Sequence, residues 1–403
     1  MDILEKYSLP ASRHRQLLNA GSDPFGVVMD EVYSATEARI GGRLTILAGT
    51  NNYLGLTFDK DAISAALHAI ENLGTGTTGS RIANGTHQSH AELEAAIARF
   101  LGRRSAMVFS TGYQANLGTI AGLAGPKDVV FVDADSHASI YDGCKLSGAT
   151  IVRFRHNDAA DLDRRLARMK GEGACKLVVA EGLYSMVGDQ APIAEFVEVK
   201  NRHGAYLLVD EAHSLGVFGA NGRGAAEAEG VEAEVDFLVG TFSKSLGATG
   251  GFAASNHPQF DVLRFCARPY MYTASASPAT VASVLAALRQ VESRPELRQH
   301  LKANAIALRT GLTDLGYEVL SPEGPIIAVR MPDEEMAVYA WNRLLTLGVY
   351  VNLALPPGTP NGLCILRCSA SAAHTPDQIA RICRRFATVA GDLRSRALIA
   401  AAE

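Results

Sequence analysis

No stretch of this chain stays apolar over the roughly 18 residues that a membrane-spanning helix needs. The N-terminus, MDILEKYSLPASRHRQLL, mixes acids with bases around no apolar centre, so it does not read as a signal peptide. Cysteines stand at 144, 175, 266, 364, 368 and 383 with no C-x-x-C pair, and reduced, mostly buried thiols are expected. Neither sign of charge dominates. A net charge of −4 gives no bulk attraction to nucleic acid. Internal repeats and low-complexity segments are missing too. What remains is an ordinary globular composition, 47% hydrophobic and 20% charged over 403 residues. That is enough for one large domain and a smaller one, and the expected location is the cytoplasm.

The most telling stretch is GTFSKSLGATGG, Gly240 to Gly251, with Lys244 at its centre. It follows an apolar run, Val235 to Val239, as if a strand delivered an amine into a confined site. A lysine between Ser243 and Ser245 could also cradle a phosphate, but the G-x-x-x-x-G-K-[ST] spacing of a phosphate loop is absent. A second run, Tyr206 to Asp210, ends in a carboxylate, and His213 stands three residues on. Pyridoxal phosphate (PLP) chemistry needs such a pair: a lysine for the aldehyde and a carboxylate to keep the pyridine nitrogen protonated.

Along the chain, helices are predicted over 1–20 (with Leu17 and Leu18 on the apolar side) and 59–73. A capping box at Ser89–Glu92 opens another. From Ser105 onward, short and nearly continuous apolar runs alternate with helical patterns. Strands are expected at 106–110, 129–134, 151–155, 177–181, 206–210, 235–240 and 252–255. Runs of this kind are buried on both faces, so the fold class is α/β with a mostly parallel, seven-stranded sheet. A smaller α+β C-terminal domain follows. The expected divisions are 1–45, 46–285 and 286–403.

Parallel sheets bind ligands at the carboxyl ends of their strands. Thr111-Gly112-Tyr113, Asp135-Ser136-His137, Asp210 and Lys244 all fall at such ends. Gly112 and Tyr113 open a helix, where backbone N–H groups could receive a phosphate or could simply begin a helix. His137 could stack on a flat ring. Buried Asp210 needs a partner, for which a pyridinium competes with an arginine elsewhere. Arg367 offers a fork for a carboxylate, or else an ion pair between domains. His87 and His90 are too few for a metal site and are expected at the surface, and no metal is expected.

These residues sit within GTGTTGSR, NGTHQSHAELE, STGYQAN, DADSHASIYDG, EGLYSMVGD, LVDEAHSLG, GTFSKSLGATGG, RPYMYTAS and LRCSASAAHTP. From about residue 20 to 393 the chain thereby resembles the α-oxoamine synthases, PLP enzymes of fold type I. Within that family it is most similar to the bacterial members that condense L-serine with a long-chain acyl-CoA, the first step of sphingolipid synthesis.

The resemblance implies that Lys244 binds PLP covalently, that Asp210 meets the ring nitrogen and that His213 holds the phenolic oxygen. His137 would stack on the ring and contact the substrate. Gly112, Tyr113, Thr241 and Ser243 would hold the phosphate, with Thr273 and Ala274 reaching it from the second subunit of a homodimer. Ser185 and Asn52 would line the site, and Arg367 would bind the amino-acid carboxylate. Val187 stands where much of the family has Asp, as it does in the serine-using members. Leu355 stands where those members carry an arginine before the Pro-Pro pair, which leaves the carboxylate contact to Arg367. The alternatives are a family member that takes glycine or alanine (a glycine C-acetyltransferase or an 8-amino-7-oxononanoate synthase) and a silent partner subunit. The silent subunit is disfavoured because Lys244 is present. Acyl-CoA would be met in solution or at a membrane surface.

Overall fold

The computed structural model describes residues 2–169 and 174–400. They form two compact units. The larger spans Asn51–Ser185 and Asp189–Gln299, and the smaller takes Met1–Thr50, Met186–Gly188 and His300–Glu403. Divisions had been expected near 45 and 285. The helix Pro278–Ser293 packs along Lys60–Leu73, which keeps it with the larger unit.

Seven strands build the sheet of the larger unit: β1 (Ser105–Phe109), β2 (Val129–Asp133), β3 (Thr150–Phe154), β4 (Lys176–Glu181), β5 (Tyr206–Asp210), β6 (Phe237–Thr241) and β7 (Gly251–Ser255). Their order across the sheet is β1-β7-β6-β5-β4-β2-β3. Only β7 runs antiparallel to its neighbours; the other adjacent pairs are parallel. Every residue of β2, β6 and β7 is buried, as a sheet covered on both faces requires. Met107, Phe109, Ile120, Val130, Val132, Leu208 and Val239 pack into one cluster. Each such side chain contributes about 1.5–3 kcal/mol on burial.

Polar caps start the helices that follow the strands. Thr111 accepts from Gln114 N at the head of α1 (Gly112–Leu123), and the His137 ring accepts from Ser139 N at the head of α2 (Ala138–Ser147). Two expectations need correction. The helix Gln88–Phe100 is capped by His87, not Ser89: His90 Nδ1 accepts from His87 N at 3.2 Å, and the reciprocal bond completes the box. His90 is therefore fully buried rather than a surface group, with Nε2 3.0 Å from Ala276 O. In the helix Ser8–Ala20, Leu17 is buried but Leu18 is exposed.

The smaller unit holds two sheets. One orders Glu31–Val32, Glu37–Ile40, Arg43–Leu47 and Val349–Tyr350, with Gly41 and Gly42, both at positive φ, making the hairpin turn. The other is antiparallel, with Cys364–Ser369 central between Ile326–Met331 and Asn352–Ala354. Arg367 lies in that central strand, buried, and donates to Ser369 Oγ at 3.1 Å. Among the described residues no helix is long and apolar enough to cross a membrane.

Candidate active site

At the carboxyl edge of the larger sheet lies a cavity of about 330 Å³. It brings together eight of the residues singled out in the sequence: Gly112 and Tyr113 after β1, His137 after β2, Asp210 and His213 after β5, and Thr241, Ser243 and Lys244 after β6. Asn52, Ser185, Thr273 and Ala274 belong to the same unit but are not among its lining. The Asn52 amide donates to Thr57 Oγ1 at 2.7 Å. Thr273 Oγ1 accepts from the Gln114 side chain at 3.2 Å, and the Ala274 carbonyl accepts from Ser110. Arg367 lies in the other unit.

Asp210 is 4% exposed, and amide N–H groups occupy its oxygens. Asn116 Nδ2 donates to one at 2.7 Å, and the backbone N of Ala212 donates to the other at 2.9 Å. His213 is buried, with Nδ1 2.7 Å from the Tyr53 hydroxyl. The His137 ring stands beside Ser139 Oγ at 2.8 Å, and its backbone N donates to Glu181 Oε1 at 2.5 Å. Burial, helped by the charge of Lys244 and opposed by Asp210, pulls the His137 pKa below its usual value, so a neutral imidazole is favoured at neutral pH. Burial, and after it the charge of Asp210, pushes the Glu181 carboxyl well up. A proton kept on Glu181 relieves what a second carboxylate beside Asp210 would otherwise cost.

Backbone shapes the opposite wall. A Cβ on Gly251 would stand 2.6 Å from Gly112 Cα, and one on Gly112 would stand 2.7 Å from Thr241 Cβ. Only glycine permits that approach. The head of α1, the Thr241 hydroxyl 2.8 Å from Ser243 Oγ, and the Ser243 hydroxyl itself then face one small space.

This donor set fits PLP. A buried carboxylate held in place by two amides suits a protonated ring nitrogen. A helix N-terminus with two hydroxyls suits a phosphate dianion. Lys244, in the same cavity, is the amine. The sequence pattern did not point to Asn116, Glu181, Ser139 and Tyr53. Asn116 and Ser139 sit inside helices and Tyr53 lies about 160 residues before its histidine, so pairing distances alone could not suggest them. Glu181 offered a signal that went unused: it ends β4 as Asp210 ends β5, and the two are register partners.

The profile of the aminotransferase class I and II family matches residues 45–386. A serine palmitoyltransferase of Caulobacter vibrioides is 53% identical over 393 residues, covering 98% of this chain and 97% of that protein. An 8-amino-7-oxononanoate synthase of Geobacter metallireducens is 42% identical over 357 residues, covering 88% of this chain and 91% of its own length. Among solved structures, one of SPT with PLP as internal aldimine superposes with a TM-score of 0.95 at 50% identity, covering 96% of this chain and 98% of the other.

Proposed function

The chain belongs to the aminotransferase class I and II family, and on that premise we propose that it is a PLP-dependent acyltransferase of the serine palmitoyltransferase type. It would join L-serine to a long-chain acyl-CoA, releasing CO2 and coenzyme A and yielding 3-ketosphinganine. The observation that carries this reading is the convergence of Lys244 and Asp210 on one cavity, in a chain 53% identical over nearly its whole length to a protein of that name.

When bound, PLP supplies an electron sink that lets a Cα–H bond break. The rest falls to the chain. Lys244 binds the cofactor and, as a free amine, takes the Cα proton and returns it. Asp210 keeps the ring nitrogen protonated, held in its own place by Asn116 and Ala212. His213, oriented by Tyr53, holds the phenolic oxygen. His137, whose pKa desolvation lowers, would face the ring and the substrate from the cavity lining. Gly112, Tyr113, Thr241 and Ser243 seat the phosphate, and Thr273 and Ala274 complete that seat in the partner of a homodimer. Ser185 helps to hold the cofactor, and Asn52 and Arg367 receive the amino acid, with Arg367 pairing its carboxylate. We place the enzyme in the cytoplasm.

Leu355 favours a second reading, in which glycine or alanine replaces serine as it does in other α-oxoamine synthases. One titration separates them. L-Serine, glycine and L-alanine are added separately to the PLP-loaded protein and the cofactor absorbance is followed. Serine alone should shift the band at low concentration and support acyl transfer from a ladder of acyl-CoAs, with the product read by mass spectrometry. A response confined to glycine or alanine overturns the serine assignment, and no response at all overturns the PLP reading.

A further inference from the structure

β3 runs beside the strand that leads to His137, and a second histidine follows it. His156 places Nδ1 2.8 Å from Asp133 Oδ1 and Nε2 2.5 Å from Asp189 Oδ2. A carboxyl oxygen against each ring nitrogen favours the imidazole form in which both nitrogens donate. Asp135 Oδ2 stands 4.0 Å away, and the Tyr184 ring lies edge-on at 4.5 Å between centroids. Burial pulls this imidazole down, but the hydrogen bonds and charges of Asp133 and Asp189 outweigh it and leave the pKa at about 10. Asn157 doubles the link from a left-handed backbone conformation, φ 53°. Its N donates to Asp133 Oδ2 at 2.9 Å, and its side-chain amide donates to Asp189 Oδ2 at 2.8 Å.

What the ring joins matters more than the bonds themselves. Asp133, wholly buried, ends β2, and its Oδ1 also receives Asp135 N at 2.9 Å, two residues before His137. Asp189 closes the turn that starts after Glu181: its carbonyl accepts from Tyr184 N at 2.9 Å, and Gln190 bridges to Leu183. The bond from His137 N to Glu181 Oε1 ties the same two segments a second time.

We infer that His156 is a positioning residue: bonded to Asp133 on one side and Asp189 on the other, it holds the His137 segment against the Glu181–Gln190 segment and so sets where the His137 ring stands in the cavity. The inference rests on the reading of that cavity as the active site. It asks for no chemistry from His156.

The test reads the histidine side chains of the apo-protein by long-range 1H–15N NMR between pH 5.5 and 8.5, with assignments from His156→Gln and His137→Gln. In the unsubstituted chain one imidazole, His156, should stay doubly protonated throughout while His137 titrates below its usual range. In His156→Gln, and more weakly in Asp189→Asn, His137 should move back toward the ordinary value. With PLP, serine and a long-chain acyl-CoA, kcat/KM of His156→Gln should fall about tenfold, mostly through kcat. Should His156 lose its proton near pH 6.5, or should His137 titrate identically in His156→Gln, the inference is overturned. If His156→Gln does not fold, the titration of the unsubstituted chain and of Asp189→Asn decides. A chain that never binds PLP sinks the functional reading, yet the apo-protein titrations still judge the link.

Discussion

Two imidazoles follow neighbouring strands of one sheet and titrate in opposite directions. His137 faces the cavity, where burial and Lys244 together outweigh the pull of Asp210, and its proton is easily lost. Desolvation pulls the half-buried His156 down as well, but two carboxylates hold its two nitrogens and its pKa rises to about 10. Desolvation alone would lower both, and it accounts only for His137. Partner chemistry decides, and it divides the sheet edge into a region tuned to exchange protons and a region built to keep one.

The largest effects should come from breaking the first region. Lys244→Ala should lower acyl transfer about a thousandfold or more, with circular dichroism showing that the fold is kept. Asp210→Asn should cost about a hundredfold in kcat/KM, with weakened PLP retention seen by absorbance. Next comes the backbone packed behind Gly112 of the cavity lining. Gly251→Ala forces a Cβ to 2.6 Å from Gly112 Cα, so denaturant unfolding should show a loss of about 2 kcal/mol together with lost cofactor.

The second region should show itself in stability rather than rate. His156 is raised when folded, so its contribution is complete below its ordinary value near 6.5 and is lost as pH climbs through about 10. Unfolding free energies across pH 6–10.5 should decline for the native chain and be flatter for His156→Gln; parallel curves would erase the contrast between the two imidazoles. The smallest effect calibrates the rest. His90→Ala removes a helix-capping side chain outside the cavity lining and should cost about 1 kcal/mol, with kcat changed little.

Much of the first region could be read in the sequence because it is written in single strand ends. Apolar runs fix the strands, parallel strands bring their carboxyl ends to one edge, and Asp210, His137 and Lys244 then converge on topology alone. The second region could not be read that way. His156, Asp133 and Asp189 meet because β3 lies beside β2 and a turn brings residue 189 back toward residue 184, which no periodicity encodes. The same limit hid Asn116 behind Asp210 and Tyr53 behind His213. His87 and His90 failed differently. Their i,i+3 spacing was visible, but a histidine serving as a cap is rare enough that Ser89 looked the better candidate.

The close passage of Gly251 over Gly112 limits how this enzyme can be tuned. That wall is made of main chain whose outward positions are already filled, so a substitution there can shut the seat but cannot grade it. Variants with graded cofactor retention must instead be sought at the Ser243 hydroxyl, which bonds the Thr241 side chain, because the Thr241 hydroxyl also ties Gly250 O and Ser243 N of the backbone.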